Sequence, residues 1–200
     1  MANGYLRSGM KDTIGCFDAF FRKVPDDGGF AIFAGLEQIV EYLSNLHFTQ
    51  EDIDFLRSKN NFSEEFLDYL SDFKFECDVW AIPEGSVIFP GEPIIKVKGP
   101  IIQAQFVETS ILLFFNHQSL IATKANRIVR AAQGRAVLEF GSRRAHGADA
   151  ACDGARAAYI GGCAGTACTI SDLVYGVPAA GTMSHSWVQL FDTELEAFKA

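Results

Sequence analysis

Ala136-Val137-Leu138-Glu139-Phe140-Gly141-Ser142-Arg143-Arg144 reads as a short apolar strand that runs straight into an aromatic, a glycine and two arginines. The alternation repeats downstream. Ala148 to Tyr159 is an alanine-rich helix, Ile160 to Cys163 a second strand, and Ser171 to Tyr175 lies in a shorter helix. Pro178 to Thr182 is a third strand, and Trp187, Leu190, Phe191, Leu195 and Phe198 recur at helical spacing in a final amphipathic helix. Strand and helix in turn give the rhythm of a parallel α/β sheet. Three such units are too few to close an eight-stranded barrel and would form its first part. The last helical pattern reaches Ala200 with no Gly, Pro or polar tail, as expected of a chain cut off before the barrel is complete.

Upstream, Val107, Ile111, Phe115, Ile121, Ile128 and Val129 supply the apolar face of a long helix from about Ala104 to Gln133, stopped by Gly134. The first hundred residues mix helix and strand. Met1 to Ser8 reads as a helix stopped by Gly9, Cys16 to Arg22 as a strand, and Gly35 to Asn45 and Thr49 to Lys59 as helices. Ser63 caps a further helix with Phe66 and Leu70 on one face. Phe75 to Lys98 is a run of short strands cut by Pro83-Glu84-Gly85 and Pro90-Gly91-Glu92-Pro93 turns. The expected fold is an α+β N-terminal domain (1–104), resembling a small sandwich or barrel packed with helices, a connecting helix (105–135), and the first βα units of an incomplete TIM-like α/β barrel (136–200).

Composition sets outer limits. Of 200 residues 48% are hydrophobic, with 18 Phe, which is enough for a real core and too apolar for a disordered chain. A net charge of −8 argues against broad contact with a nucleic-acid backbone. Between Lys124 and Arg144 the balance reverses, with Arg127, Arg130, Arg135 and Arg143 among six cations against Glu139 alone. A local basic stretch on an acidic chain suits a small anion, or a solvated helix face. Five Cys with no C-x-x-C spacing support neither a disulfide framework nor a zinc site, and buried free thiols in a reducing cytoplasm are expected. No signal peptide, membrane span, H-x-x-x-H pair or carboxylate cluster for a metal is legible.

Sites in parallel α/β folds form where strands end, which singles out three stretches. In the first, Arg143 and Arg144 can bind carboxylate or phosphate and Phe140 can stack on a flat ring, which suits an aromatic acid. A salt bridge to Glu139 beside a core Phe explains the same residues. The second, Gly161-Gly162-Cys163-Ala164-Gly165-Thr166, can bring backbone N–H groups to a phosphate or serve tight strand–helix packing. In the third, His185 stands between strand and helix among Gly181, Thr182, Ser184 and Ser186, as a nucleophile, an acid–base group or a plain helix-start residue. His117 reads as structural, and His146 as a residue that could face the site.

Together these stretches resemble nicotinate phosphoribosyltransferases, in order and through nearly the whole chain. Met1-Ala2-Asn3-Gly4-Tyr5 is similar to the end of the family's opening Thr-Asp-x-Tyr segment. Phe17-Asp18-Ala19-Phe20-Phe21-Arg22-Lys23 and Phe33-Ala34-Gly35-Leu36-Glu37 resemble its next landmarks. Glu139-Phe140-Gly141-Ser142-Arg143-Arg144-Ala145 and Gly181-Thr182-Met183-Ser184-His185-Ser186 resemble its most specific motifs. The resemblance implies attack of nicotinate on C1 of phosphoribosyl pyrophosphate, coupled to ATP hydrolysis through a phosphohistidine. Mg²⁺ accompanies the phosphates, and the product enters NAD salvage. It assigns the phosphohistidine to His185, the pyridine carboxylate to Arg143 and ring stacking to Phe140. Gly141 and Gly181 are close-approach positions, and Arg144, Thr182 and Ser184 phosphate or ribose contacts. Ala167 stands where nicotinamide enzymes carry an Asp that would repel nicotinate. A homodimer with shared active sites is implied, to which the absent opening Tyr motif would contribute, so the 200 residues alone are expected to have little or no activity. The alternatives are a nicotinamide or quinolinate phosphoribosyltransferase, or a non-catalytic scaffold or binding module such as a carrier domain modified on Lys96 or Lys98.

Overall fold

The computed structural model describes residues 1–200 as a mixed α/β fold. Helix α1 (Ala2–Arg7) leads into strand β1 (Ile14–Ala19) and β2 (Ala31–Ile32). Three helices come after them: α2 (Leu36–Asn45), α3 (Gln50–Ser58) and α4 (Glu64–Ser71). Thr49 caps α3 in a reciprocal capping box with Asp52, and the Ser63 hydroxyl caps α4 by accepting from Phe66 N. Strands β3 (Asp78–Ala81), β4 (Val87–Ile88) and β5 (Ile95–Pro100) come next, with Gly85 and Gly91 at positive φ in the intervening turns. β5 is the centre of an antiparallel sheet in the order β1-β5-β3, and β2 pairs with β4 in a separate two-stranded ladder.

Period-2 alternation on β5 turns Ile95 and Val97 inward. There they meet Phe21, Phe33, Ile39 and Phe115 in the main core, where Phe21 and Phe115 pack edge to face at 5.3 Å. A second core around Ile53, Phe66, Leu70 and Phe73 is shared by the helices. Lys96 and Lys98 lie within β5 rather than at a hairpin tip, and Lys96 pairs with Asp18 on β1 at 2.5 Å. That is no swinging-arm geometry.

The single long helix expected from 104 to 133 is two. α5 (Ile101–Phe106) and α6 (Glu108–Ala131) meet at Val107, which is fully buried. The apolar stripe also departs from expectation beyond Phe115. Ile128 is exposed, and the buried face continues through Gln118, Ser119, Ala122, Thr123 and Ala125. Small and hydroxylated residues replace large ones because two partners come close. The Thr123 and Ser119 hydroxyls accept from Ile32 N (2.9 Å) and Ala34 N (3.1 Å), completing the edge of β2. Ala122 and Ala125 face α7 (Ala148–Ile160), which presents Ala157 and Ala158.

The C-terminal third keeps the alternation with altered bounds. β6 (Leu138–Glu139) pairs in parallel with β7 (Gly165–Thr166), and Thr166 bridges in parallel to Ala179. The expected strand at Ile160 to Cys163 is absent: Gly161 ends α7, and the strand forms later. The third strand reduces to the Ala179 bridge. α8 (Thr169–Tyr175) precedes it, and the expected final helix divides into α9 (His185–Gln189) and α10 (Glu194–Lys199), because Thr193 and Glu196 form a capping box that starts a new helix. No closed barrel is present. No helix is long and apolar enough to cross a membrane. All five cysteines are free; Cys163 and Cys168 are buried as expected, but Cys16 is exposed.

A part-buried ion cluster joins the two halves. Arg156 on α7, its side chain 13% exposed, binds Glu84 bidentately at 2.9 and 2.7 Å and also pairs with Glu37. Glu84 in turn accepts from the first amides of α2, Gly35 N at 2.6 Å and Leu36 N at 3.0 Å. Burial works against ionisation of Glu84, but the Arg156 guanidinium and those two N–H groups outweigh it and hold the carboxyl below its ordinary value. A depressed carboxyl stabilises the fold above its unfolded pKa, 4.5, and loses that contribution as pH falls through the lower folded value. Urea titrations should therefore show stability falling below about pH 4.5, with a shallower fall in Glu84→Gln. Glu84→Ala, which leaves Arg156 with Glu37 alone and α2 uncapped, should cost about 3 kcal/mol.

Candidate active site at the strand ends

The parallel register Leu138↔Gly165, Glu139↔Thr166 and Thr166↔Ala179 brings the three strand ends to one edge. Phe140 to Arg144, Ala167-Cys168 and Ala180 to Ser186 therefore leave the sheet from the same side. Ser142–Arg144 forms a single 3-10 turn, with Arg144 N donating to Gly141 O at 2.8 Å.

Two features define this edge. Phe140 is 41% exposed and does not join the core. The side chains of Arg143 and Arg144 are exposed and form no ion pair or hydrogen bond with the protein. The sequence left open a salt bridge between them and Glu139. The Glu139 carboxylate instead accepts from the Thr166 hydroxyl at 2.7 Å and from Gly141 N–H. Two unpaired cations in the loop that follows an exposed aromatic residue are free to take a flat anion.

His185 is exposed as the first residue of α9. Ser184 is the N-cap, accepting from Trp187 N at 3.2 Å, and its hydroxyl lies 2.8 Å from that of Ser186. The His185 ring has no hydrogen-bond partner in the protein. Gly181 and Thr182 sit exposed in the loop before it. The register thus puts the loops that carry Phe140, Gly141, Arg143 and Arg144 and those that carry Gly181, Thr182, Ser184 and His185 on one edge of the sheet, and no direct bond links the first loop to the third.

The glycines of the second stretch do not form a phosphate cradle. A Cβ on Gly161 would run into the Ala122 carbonyl oxygen and lie 2.8 Å from Ala125 Cβ, and Gly162 packs on Val129. Their absent side chains let α7 end tight against α6. Elsewhere in the basic stretch Arg127 donates to Pro25 O at 2.9 Å and pairs with Asp26, and Arg130 lies over the Phe30 ring, so both are structural.

Two side chains to which sequence reading assigned no role at the site lie against this edge. Thr166 is fully buried at the end of β7, the bonding partner of Glu139. His117, read as structural, lines a cavity of about 330 Å³ behind the first loop with Glu139, Ser142, Arg144 and His146. The Ser142 hydroxyl there is buried without a partner. No local signal in the sequence set either side chain apart. Another cavity, of about 680 Å³, lies between α2, α6, α7 and α8 and contains none of the strand-end residues.

Residues 1–116 match the family model of the nicotinate phosphoribosyltransferase N-terminal domain. The chain belongs to the nicotinate phosphoribosyltransferase family. Similarity runs through the strand-end loops as well. All 200 residues align at 48% identity with a nicotinate phosphoribosyltransferase of Mycobacterium tuberculosis, and 199 at 42% with that of Bacillus subtilis. The crystal structure of human nicotinic acid phosphoribosyltransferase matches 96% of the chain with a TM-score of 0.88 at 36% identity, using 39% of the human chain. The chain spans 43% of the length of the Mycobacterium relative and 41% of the Bacillus one.

If Gly161 serves packing alone, Gly161→Ala should lower the unfolding free energy by about 1–3 kcal/mol, read from a urea midpoint. Affinity for phosphate-bearing substrates should stay unchanged in the folded variant.

Proposed function

We propose that this chain is part of an enzyme that joins nicotinate to phosphoribosyl pyrophosphate, giving nicotinate mononucleotide and pyrophosphate for NAD salvage. The observation that carries this reading is the pair of unpaired, exposed arginines that follow the exposed Phe140 in one loop. Arg143 would hold the pyridine carboxylate and Phe140 would stack on the ring. Gly141 and Gly181 would allow close backbone approach, and Arg144, Thr182 and Ser184 would meet phosphate or ribose oxygens. The pyridine nitrogen attacks C1 of the ribosyl group while the bond from C1 to the pyrophosphate oxygen breaks. The transition state carries positive charge on the sugar, so alignment and neutralisation of the leaving pyrophosphate supply most of the rate.

His185, with its ring unengaged and its helix start fixed by Ser184, suits transient phosphorylation. An imidazole nitrogen takes the γ-phosphoryl group of ATP as ADP leaves, and water later removes it as phosphate. Mg²⁺ belongs to this reading as the metal complex of the phosphate substrates. Ala167 sits exposed at the end of β7, its N–H donating to Glu139 O at 2.9 Å, and adds no negative charge to the edge. That favours the acid over nicotinamide. Residues 136–200 would be the first units of a TIM-like barrel completed by further chain, and two such subunits would share their active sites. This accounts for a site edge that carries anion-binding groups on three loops only.

The test uses the full-length protein encoded by the reading frame that contains these residues, with nicotinate, phosphoribosyl pyrophosphate, ATP and Mg²⁺. Nicotinate mononucleotide should form and be stimulated by ATP. His185→Ala should retain slow synthesis and lose the ATP stimulation. Arg143→Ala should raise the KM for nicotinate by about 10- to 100-fold through loss of a charge-assisted bond. Product formed from nicotinamide but not from nicotinate would defeat the assignment.

A further inference from the structure

Two of the three strand ends are tied together at one carboxylate, and the backbone of Thr166 joins them to the third. Glu139 is the last residue of β6, directly opposite Thr166 in the parallel ladder. Its Oε2 accepts from the Thr166 hydroxyl at 2.7 Å and its Oε1 from Gly141 N–H, while its backbone carbonyl accepts from Ala167 N at 2.9 Å. Thr166 Oγ accepts from Cys168 N at 3.0 Å. The Thr166 main chain exchanges bonds with the third strand, donating to Pro178 O at 3.0 Å and accepting from Ala180 N at 2.8 Å. Thr166 itself is fully buried, so its side chain has no water to turn to.

Equally informative is the bond that Glu139 does not make. Arg143 and Arg144 lie four and five residues beyond it, yet neither pairs with it. A carboxylate held by one N–H and one O–H is satisfied without a cation. Gly141 makes room for this, since a Cβ there would lie 2.8 Å from Glu139 Oε1. The same two bonds therefore fix the start of the loop that bears Phe140 and Arg143, and keep the one nearby negative charge off the arginines.

We infer that Glu139 is a positioning residue, which with Thr166 sets the nicotinate loop against the end of β7 and leaves Arg143 unneutralised for the substrate. This rests on the nicotinate reading above. Loss of the tie lets the Phe140–Arg144 loop and the Ala167-Cys168 segment move together. Loss of Thr166 alone frees a charged Glu139 to compete with nicotinate for Arg143.

The experiment compares wild type, Glu139→Ala, Glu139→Gln, Thr166→Val and the Thr166→Val/Glu139→Gln double variant in the full-length protein. It reads steady-state kinetics and amide hydrogen exchange of peptides covering 140–144 and 166–169. Glu139→Ala should raise the KM for nicotinate about tenfold, leave the KM for ATP within about twofold, and speed exchange in both peptides. Glu139→Gln keeps an acceptor for Gly141 N–H and should fall between wild type and Glu139→Ala. Thr166→Val, close to isosteric, should raise the nicotinate KM, and adding Glu139→Gln should recover part of it. An unchanged nicotinate KM with unchanged exchange, or equal losses for every substrate, would overturn the role. A wild-type protein that makes no nicotinate mononucleotide would defeat the functional reading instead. Coupled exchange in the two peptides would then still decide whether Glu139 ties the loops.

Discussion

Close approach of α6 to the elements on either side of it is the constraint on which the rest of the structure depends. A helix of 24 residues can hold two halves together only if its contact face is flat enough for neighbours to reach it. Toward β2 it offers Ser119 and Thr123, whose hydroxyls stand in for a neighbouring strand. Toward α7 it offers Ala122 and Ala125 against a helix whose buried residues are mostly Ala, closing on Gly161. A large apolar residue at any of these positions would push β6 and β7 away from the N-terminal core.

The ion cluster of Arg156, Glu84 and Glu37 acts at the same junction by a different physics. Small-residue packing is non-directional and sets distance, whereas the bidentate Arg156–Glu84 pair sets orientation. Because Glu84 also satisfies the first amides of α2, the start of that helix and the angle of α7 are fixed by a single carboxylate. Glu139 repeats the pattern at the strand ends, where another carboxylate joins loops that are distant in sequence. In both places an acid is held by well-aligned donors, and Arg143 and Arg144 at the exposed edge remain unpaired.

Much of this was legible residue by residue. The cap Ser63, the stops at Gly9 and Gly134, the α2, α3 and α7 helices and the strand-end loops arise from local signals. The errors share a cause. Ile160 to Cys163 is apolar enough for a strand, yet Gly161 and Gly162 are required where α7 meets α6, so the strand begins after them. Ile128 fits the helical stripe, but the buried face there had been taken over by alanines. The final helix divides because the Thr193–Glu196 box outweighs continuity of the apolar pattern. For the candidate site, the type and order of Phe140, Arg143 and His185 were readable. That Glu139 turns from the arginines to Thr166 was not, because the choice between two acceptable partners depends on where β7 lies.

The sequence by itself determined the alternation of strand and helix, the chain positions of the loops, and the residues those loops carry. These come from periodicity, capping and turn chemistry, which act over a few residues. Only the tertiary structure decided which polar groups neutralise one another. Ile32 meets Thr123 91 residues away, Glu84 meets Arg156 at 72, and Glu139 meets Thr166 at 27. Such pairings are chosen by the burial each donor and acceptor experiences once the chain has closed, and no local pattern records that burial.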